Sequence, residues 1–589
     1  MPSFARRSPL SAPAAEYVPR RPQDTVLHRL VREHYATFVA HTEATYAAPL
    51  PRYVTDAFER YLACGDFSRG FVRCHCDACA HDVLVAFSCK QRGLCPSCGA
   101  RRMCDEAANI TDCILPNVPV RQWVLSLPFE LRGLAATKPD VLTALGRIFA
   151  EEVASATRRV AGVAGAETGS VSFPQRFGGS LNLNVHFHLL SADAVFEKHG
   201  GGVRIHEAPP PAKTDVADVA RRVHDRALVW LRRHRYLDER PAEDRGNDPP
   251  ADTPIDALAR LALASGTFLG GPFLAKDRAD ENLDRKEPRF SATYDGFDLH
   301  CAVRIAAGDD EGRERLVRYC ARPPFALERI EEMKDGRISY LMKTARRGST
   351  HRVMTPMEFM GRLAILVAPP YFPLVRYHGV FAARSSWRAL VTPKPPDGVA
   401  RRKKPKPCTE AKAANASAAN TPPPDAPAAV PASVSQQASA NGAANASTSA
   451  PSTAAAPAKG ALPAASIPGP SVLHAVPRAL DEQPAITSFD AATEIAPTSI
   501  TLEHWNRILD GELYATSSRV EWAILLRRTY GLDALRCPKC DARMRVLSTL
   551  TEPSVVNKIL SHLGLRTEPI PLARARDPTG QMDLGFDAA

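Results

Sequence analysis

Asn182-Leu183-Asn184-Val185-His186-Phe187-His188-Leu189-Leu190 is the stretch that decides how this chain is read. It alternates polar and apolar, the period of a half-buried β-strand. Side chains two apart share a face, so Asn182, Asn184, His186 and His188 line one side and Leu183, Val185, Phe187 and Leu189 the other. The apolar row is a core face. It would hold two imidazoles side by side, where they can chelate one cation. The competing reading is a pair of histidines decorating an exposed strand, and the stretch alone does not choose between them.

The chain around it has 589 residues, 44% of them hydrophobic, with 14 Cys, 51 Pro and a formal net charge of +11. That length suits roughly three or four domains. The positive excess suits a polyanionic partner such as nucleic acid without specifying one. Met1 to Arg21 is rich in Pro, Arg and Ser and has no apolar signal-peptide segment. No apolar run reaches membrane-spanning length. A cytoplasmic protein without a membrane partner is expected, and its cysteines read as metal ligands before disulfides.

Cys76-x-x-Cys79 and Cys95-Pro96-Ser97-Cys98 stand fifteen residues apart. Two such knuckles joined by a hairpin deliver four thiolates to one zinc, so Cys76, Cys79, Cys95 and Cys98 are the expected ligands. Cys74, Cys89, Cys104, His75 and His81 are further candidates, and Leu84 to Phe87 is the expected hairpin strand. A third pair, Cys537 and Cys540, supplies half of a possible second zinc site.

Beyond the zinc pairs, Val120 to Leu127 reads as a strand, Leu142 to Val160 as a helix, and Val171 lies in another strand. With the His186 strand they give the order strand, helix, strand, strand, half of a split βαβ sheet. Asp215 to His234 is helical and falls in a region, about 206–290, read as an insertion. Asp309 to Cys320 is a helix with Tyr319 in its last turn. Arg315 and Arg322 share its face, and Arg318 is adjacent. Guanidinium groups hold phosphate and favour phenolate, so Tyr319 is a candidate nucleophile, against the plain reading of an interfacial tyrosine. Tyr340 and Tyr377 rank below it. Lys394 to about Pro497 is dominated by Ala, Pro, Ser and Asn, a composition expected to be disordered. The expected layout is a disordered N-terminus (1–25), a zinc-binding domain (26–115), a sheet domain (116–393), a linker (394–498), a C-terminal Cys-pair module (499–570) and a tail (571–589).

Several pieces resemble the insertion sequence 91 family of rolling-circle transposases and their common-region relatives, members of the HUH group of single-strand nucleases. They are Phe87 to Cys98, Leu181 to His188, Arg318 to Pro324, Arg376 to Phe381 and Arg536 to Cys540, in the family's order. The resemblance implies an α+β fold: an RRM-like HUH nuclease core, an N-terminal zinc-ribbon module, a long disordered linker and a small C-terminal helical Cys-pair module. It implies a structural zinc, a catalytic Mg or Mn on His186 and His188, and Tyr319 as nucleophile. Arg315, Arg318 and Arg322 would meet DNA phosphate. His300 and Gln175 are both candidates for a third cation ligand. Founding members carry two tyrosines four residues apart, whereas Arg315 occupies the earlier position here.

The implied activity is cleavage and rejoining of single-stranded DNA at element ends through a 5′-phosphotyrosine, with target DNA as second partner and a nucleoid-associated, bacterial setting. Two other functions compete. A metal-dependent hydrolase would need a carboxylate base, and none follows the histidine strand before Asp193. A non-catalytic zinc-ribbon DNA-binding protein would need neither the histidines nor Tyr319.

Overall fold

Thr25 caps helix α1 (Val26–Tyr46), its hydroxyl accepting the His28 N–H at 3.2 Å. Ala47, at φ 49°, ends the helix in the left-handed region. Helix α2 (Arg52–Leu62) folds back so that Val54, Phe58 and Tyr61 bury against Leu27, Leu30 and Phe38. An antiparallel hairpin follows, β1 (Phe71–His75) and β2 (Asp82–Ala86). Helix α3 (Pro96–Cys113) then starts after Cys95, with Pro96 at the first turn, where its missing N–H costs nothing. The computed structural model describes residues 15–16, 21–237, 253–263, 290–346, 348–370, 372–393, 522–530 and 532–576. Most of the expected N-terminal 1–25 stretch, the Asp238–Asp252 stretch, the Ala/Pro-rich linker and the end of the tail lie outside the described residues.

The sheet domain is laid down as β3 (Val120–Ser126), α4 (Pro139–Ala161), β4 (Gly169–Phe177), β5 (Leu183–Ala192), the hairpin β6 (Ala194–His199) and β7 (Gly202–Glu207), and α5 (Lys213–Arg233). The hairpin β8 (Ser291–Tyr294) and β9 (Phe297–His300) precedes α6 (Asp310–Cys320). A second hairpin, β10 (Ile338–Arg346) and β11 (Ser349–Met354), leads to α7 (Pro356–Leu366) and β12 (Arg376–Gly379). The main sheet runs β12-β4-β5-β3-β9-β8, antiparallel throughout.

The histidine strand β5 sits inside this sheet, and its alternation divides the molecule. Leu183, Val185, Phe187 and Leu189 are at most 1% exposed and pack on α4 and α5. Each such burial is worth about 1.5–3 kcal/mol. Gly146 lets α4 approach: a Cβ there would lie 2.9 Å from the Phe187 ring. Helix α6 covers the opposite face, with Leu316, Val317 and Cys320 against Val171, Phe173 and Leu190. One expectation is corrected here. Helix α5, placed by sequence in an insertion, is a core element, because Val216, Val219, Val223 and Ala227 carry a sheet-facing stripe that is fully buried.

The C-terminal segment brings helix α8 (Trp522–Tyr530), strand β13 (Arg545–Leu550) and helix α9 (Pro553–His562). Strand β13 pairs antiparallel with β1, Arg545 opposite His75 and Leu550 opposite Phe71, so the N-terminal sheet is β13-β1-β2. Val556 and Leu560 of α9 bury on Phe71. The expected separate Cys-pair module is therefore the missing part of the N-terminal one. The described residues belong to one unit, Met1–Arg402 with Gln483–Ala589, while the second unit, Lys403–Glu482, lies outside them. Among the described residues no helix is long and apolar enough to cross a membrane.

Candidate active site and zinc clusters

The β4–β5 register sets Gln175 opposite His186 and Phe173 opposite His188. Both histidines are buried, 8% and 3% exposed, with ring centroids 4.9 Å apart. His186 Nδ1 donates to the Asn184 carbonyl at 2.9 Å, which leaves Nε2 as a lone pair. His188 Nδ1 lies 2.8 Å from the side-chain amide of Gln122, on β3. A half-turn of that amide exchanges its oxygen and nitrogen. With the oxygen on Nδ1, it accepts the imidazole proton, and His188 Nε2 too becomes a lone pair.

His188 Nε2 and Gln175 Oε1 are buried without a hydrogen-bond partner from the protein. Such orphans are uncommon. Imidazole nitrogen and amide oxygen together suit a divalent cation such as Mn or Mg, so His186, His188 and Gln175 fit one. Burial pushes His186 down to about 4, with Arg322, Arg132 and Lys343 adding to the shift against the Asn184 hydrogen bond. Burial, then His186, Arg322 and Lys343, hold His188 well below its usual value. Both imidazoles are neutral, the form that ligates. His300 lies apart from this set: it pairs with Val124, which pairs with His188, two strand spacings or about 10 Å away. Its Nδ1 is engaged by the Ser291 hydroxyl at 2.9 Å.

Helix α6 delivers Tyr319 to the same face. Its ring stands edge-on to His188, centroids 5.6 Å apart at 81°. The helix end is tied to the sheet where Gln175 Nε2 donates to the Cys320 carbonyl at 2.6 Å. Arg322 Cζ lies 4.8 Å and Lys343 Nζ 5.4 Å from the Tyr319 ring centroid. Of the three arginines expected here, only Arg322 arrives. Arg315 is more than half exposed and pairs with Glu311, and Arg318 pairs with Glu314 at 3.2 Å. Both are drawn back by carboxylates one turn earlier on their own helix. Lys343, from β10, was not singled out by sequence, since nothing local links it to Tyr319.

Tyr340 is 1% exposed, and burial raises its phenol. Tyr377 on β12 pairs with Val171, which pairs with Leu190 of β5, and burial pushes its phenol up to about 12. Asp193, the nearest carboxylate in sequence, is clamped by Arg121 at 2.8 Å and Arg304 at 3.1 Å.

The cysteines form two groups of four, and the expected set of Cys76, Cys79, Cys95 and Cys98 is corrected. Cys64, Cys89, Cys95 and Cys98 are one group; Cys76, Cys79, Cys537 and Cys540 are the other, each with all Sγ atoms within 4.8 Å. The reason is the hairpin. Cys76 and Cys79 sit at its turn, while Cys64, Cys89, Cys95 and Cys98 surround its open end. Strands of five residues hold the two places about 17 Å apart. Sγ separations are 3.7 Å for Cys64–Cys95 and 3.5 Å for Cys89–Cys98. A zinc tetrahedron with bonds of about 2.3 Å has edges of about 3.8 Å, so the first group fits a structural zinc. His75 belongs to neither group; its Nδ1 is 2.8 Å from Asp82.

Two family models match the chain in sequence order. The Y2_Tnp transposase model matches residues 169–388, which hold Gln175, His186, His188 and Tyr319. The transposase zinc-binding domain model of the IS91 type matches residues 30–127, which hold the first cysteine group complete. The chain belongs to the insertion sequence 91 family of transposases. The transposase thus carries a zinc-binding domain and acts in DNA transposition. Comparison with curated proteins and with solved structures gives no match. The Cys537–Cys540 pair of the transposase lies outside both matched ranges.

Proposed function

We propose that the transposase is an HUH nuclease with an RRM-like core, cutting single-stranded DNA at element ends in rolling-circle transposition. The strand order β4-β5-β3-β9, with α4 between β3 and β4 and α5 between β5 and β9, supports the core assignment. The observation that carries the reading is Tyr319 edge-on to His188, on the face where His188 Nε2 and Gln175 Oε1 have no protein partner.

A divalent cation held by His186, His188 and Gln175 would polarise a non-bridging phosphate oxygen and offset its charge. The remaining work falls to side chains. Arg322 and Lys343 draw the scissile phosphate over the Tyr319 ring, and the phenol gives up its proton as it attacks. The Tyr319 oxygen attacks phosphorus. A bond to the 5′ phosphate forms, the P–O3′ bond breaks, and the released 3′ oxygen takes up a proton. The ester bond is conserved in the phosphotyrosine, so a later 3′-OH can reverse the step and join strands. Asp193, clamped by two arginines, is a poor general base, which disfavours the hydrolase alternative.

The test is incubation of the full chain with Mn and a labelled single-stranded oligonucleotide spanning an element end. A protein-linked label that resists denaturant is expected, and it should vanish in Tyr319→Phe. Metal-dependent cutting with two free DNA ends would favour the hydrolase instead.

A further inference from the structure

Cys76 and Cys540 Sγ lie 3.4 Å apart, and Cys79 and Cys537 Sγ 3.6 Å. These spacings exceed a disulfide bond of about 2.05 Å and match the edges of a zinc–thiolate tetrahedron. Both pairs sit on knuckle turns. The Cys76 N–H donates to the His81 carbonyl at 2.9 Å, and the Cys537 N–H to the Ala542 carbonyl at 2.8 Å. Asp541, at φ 67°, takes the left-handed conformation that closes the second turn. Two strands leave this point paired, Arg545 opposite His75, and Arg545 reaches Asp77 at 2.7 Å.

The surroundings need a staple. The local core has four buried residues, Cys74, Cys76, Cys537 and Met544, of which two are themselves cysteines of the group. So small a core gives little apolar burial at this end of the sheet, the end away from Phe71, Val556 and Leu560. Four soft sulfur donors in a tetrahedron select zinc among the common divalent ions.

We infer that the transposase carries a second structural zinc, held by Cys76 and Cys79 from the N-terminal hairpin and Cys537 and Cys540 from the C-terminal segment. This zinc clasps parts of the chain more than 450 residues apart in sequence, Cys79 to Cys537. It makes the C-terminal segment a structural part of the N-terminal zinc module. It is also the more accessible of the two sites: Cys540 is exposed and Cys79 half-buried, whereas three of the four inner cysteines are buried.

The full chain should contain two zinc ions by elemental analysis, and Cys537→Ser with Cys540→Ser should contain one. One ion in the wild type, or two in the double variant, overturns the inference. A second measurement needs no variant: the native wild-type chain is alkylated with N-ethylmaleimide before and after graded chelator, and the modified cysteines are mapped by mass spectrometry. Cys76, Cys79, Cys537 and Cys540 should be protected together and become reactive together, ahead of Cys64, Cys89, Cys95 and Cys98. Alkylation of Cys537 and Cys540 while Cys76 and Cys79 stay protected overturns it.

Discussion

A single proton decides whether His188 can be a ligand, and Gln122 controls it. The Gln122 amide, 2.8 Å from Nδ1, sets which nitrogen of the His188 ring carries the proton. Gln122→Leu should therefore weaken Mn binding about 10- to 100-fold, measured by calorimetry or by the free-Mn electron spin resonance signal, with the fold unchanged in circular dichroism. Unchanged affinity would mean that His188 orients itself. Gln175→Leu should weaken binding and His300→Ala should not, because only Gln175 is beside His186 in register. This distinction was not legible in the sequence, where Gln175 and His300 are equally plausible. It rests on strand order, which pairing over long separations sets. The faces of β5 were legible, because alternation along one strand is local. Arg322 and Lys343 illustrate the same divide. Arg322 is near Tyr319 in sequence and was foreseen; Lys343 reaches the ring from another hairpin.

Helix α6 shows how an element can be held from a distant part of the chain. Arg528 of α8, 2% exposed, binds Asp112 of α3 at 2.6 Å and Glu314 of α6 at 2.9 Å. Those carboxylates raise its guanidinium well above the usual value against the cost of burial. Glu314 in turn holds Arg318, next to Tyr319. Removing the shared cation would take their common partner from two buried carboxylates. Arg528→Met should destabilise the protein by about 3–5 kcal/mol, read as a lower urea midpoint. Arg528→Lys should recover only part, since one ammonium cannot reproduce the fork on both partners. A loss below about 1 kcal/mol, typical of an exposed pair, would contradict this cluster. The C-x-x-C pairs carry the matching lesson for the zinc module. Their spacing revealed metal chemistry, yet adjacency in sequence paired the wrong knuckles, since a rigid hairpin separates them and the true partners return after the linker.

At the scale of the whole molecule, buried histidines set the acid limit. Burial lowers His28, His34, His186, His188 and the half-buried His378, with His186 and His378 pushed to about 4. Unfolded, they titrate near the ordinary value of 6.5. Between those limits the unfolded chain binds protons that the folded chain refuses, so stability falls as pH falls from about 6.5 toward about 4. His378 alone contributes up to about 3 kcal/mol across that window. Tm should drop clearly from pH 7.5 to pH 5.0, and His378→Asn should make the slope shallower. A Tm that is flat or rises on acidification would contradict the burial of these rings.

If Tyr319 makes the covalent bond to DNA, the DNA stays attached at that residue. The most direct measurement is the position of the DNA on the protein. The full chain is reacted with a single-stranded element end and Mn, digested with nuclease and trypsin, and the nucleotide-bearing peptide is sequenced by mass spectrometry. Trypsin cuts after Arg318, so the nucleotide is expected on the first residue of the peptide that begins at Tyr319. Nucleotide on Tyr340 or Tyr377, or cleaved DNA with no peptide attached, would contradict it.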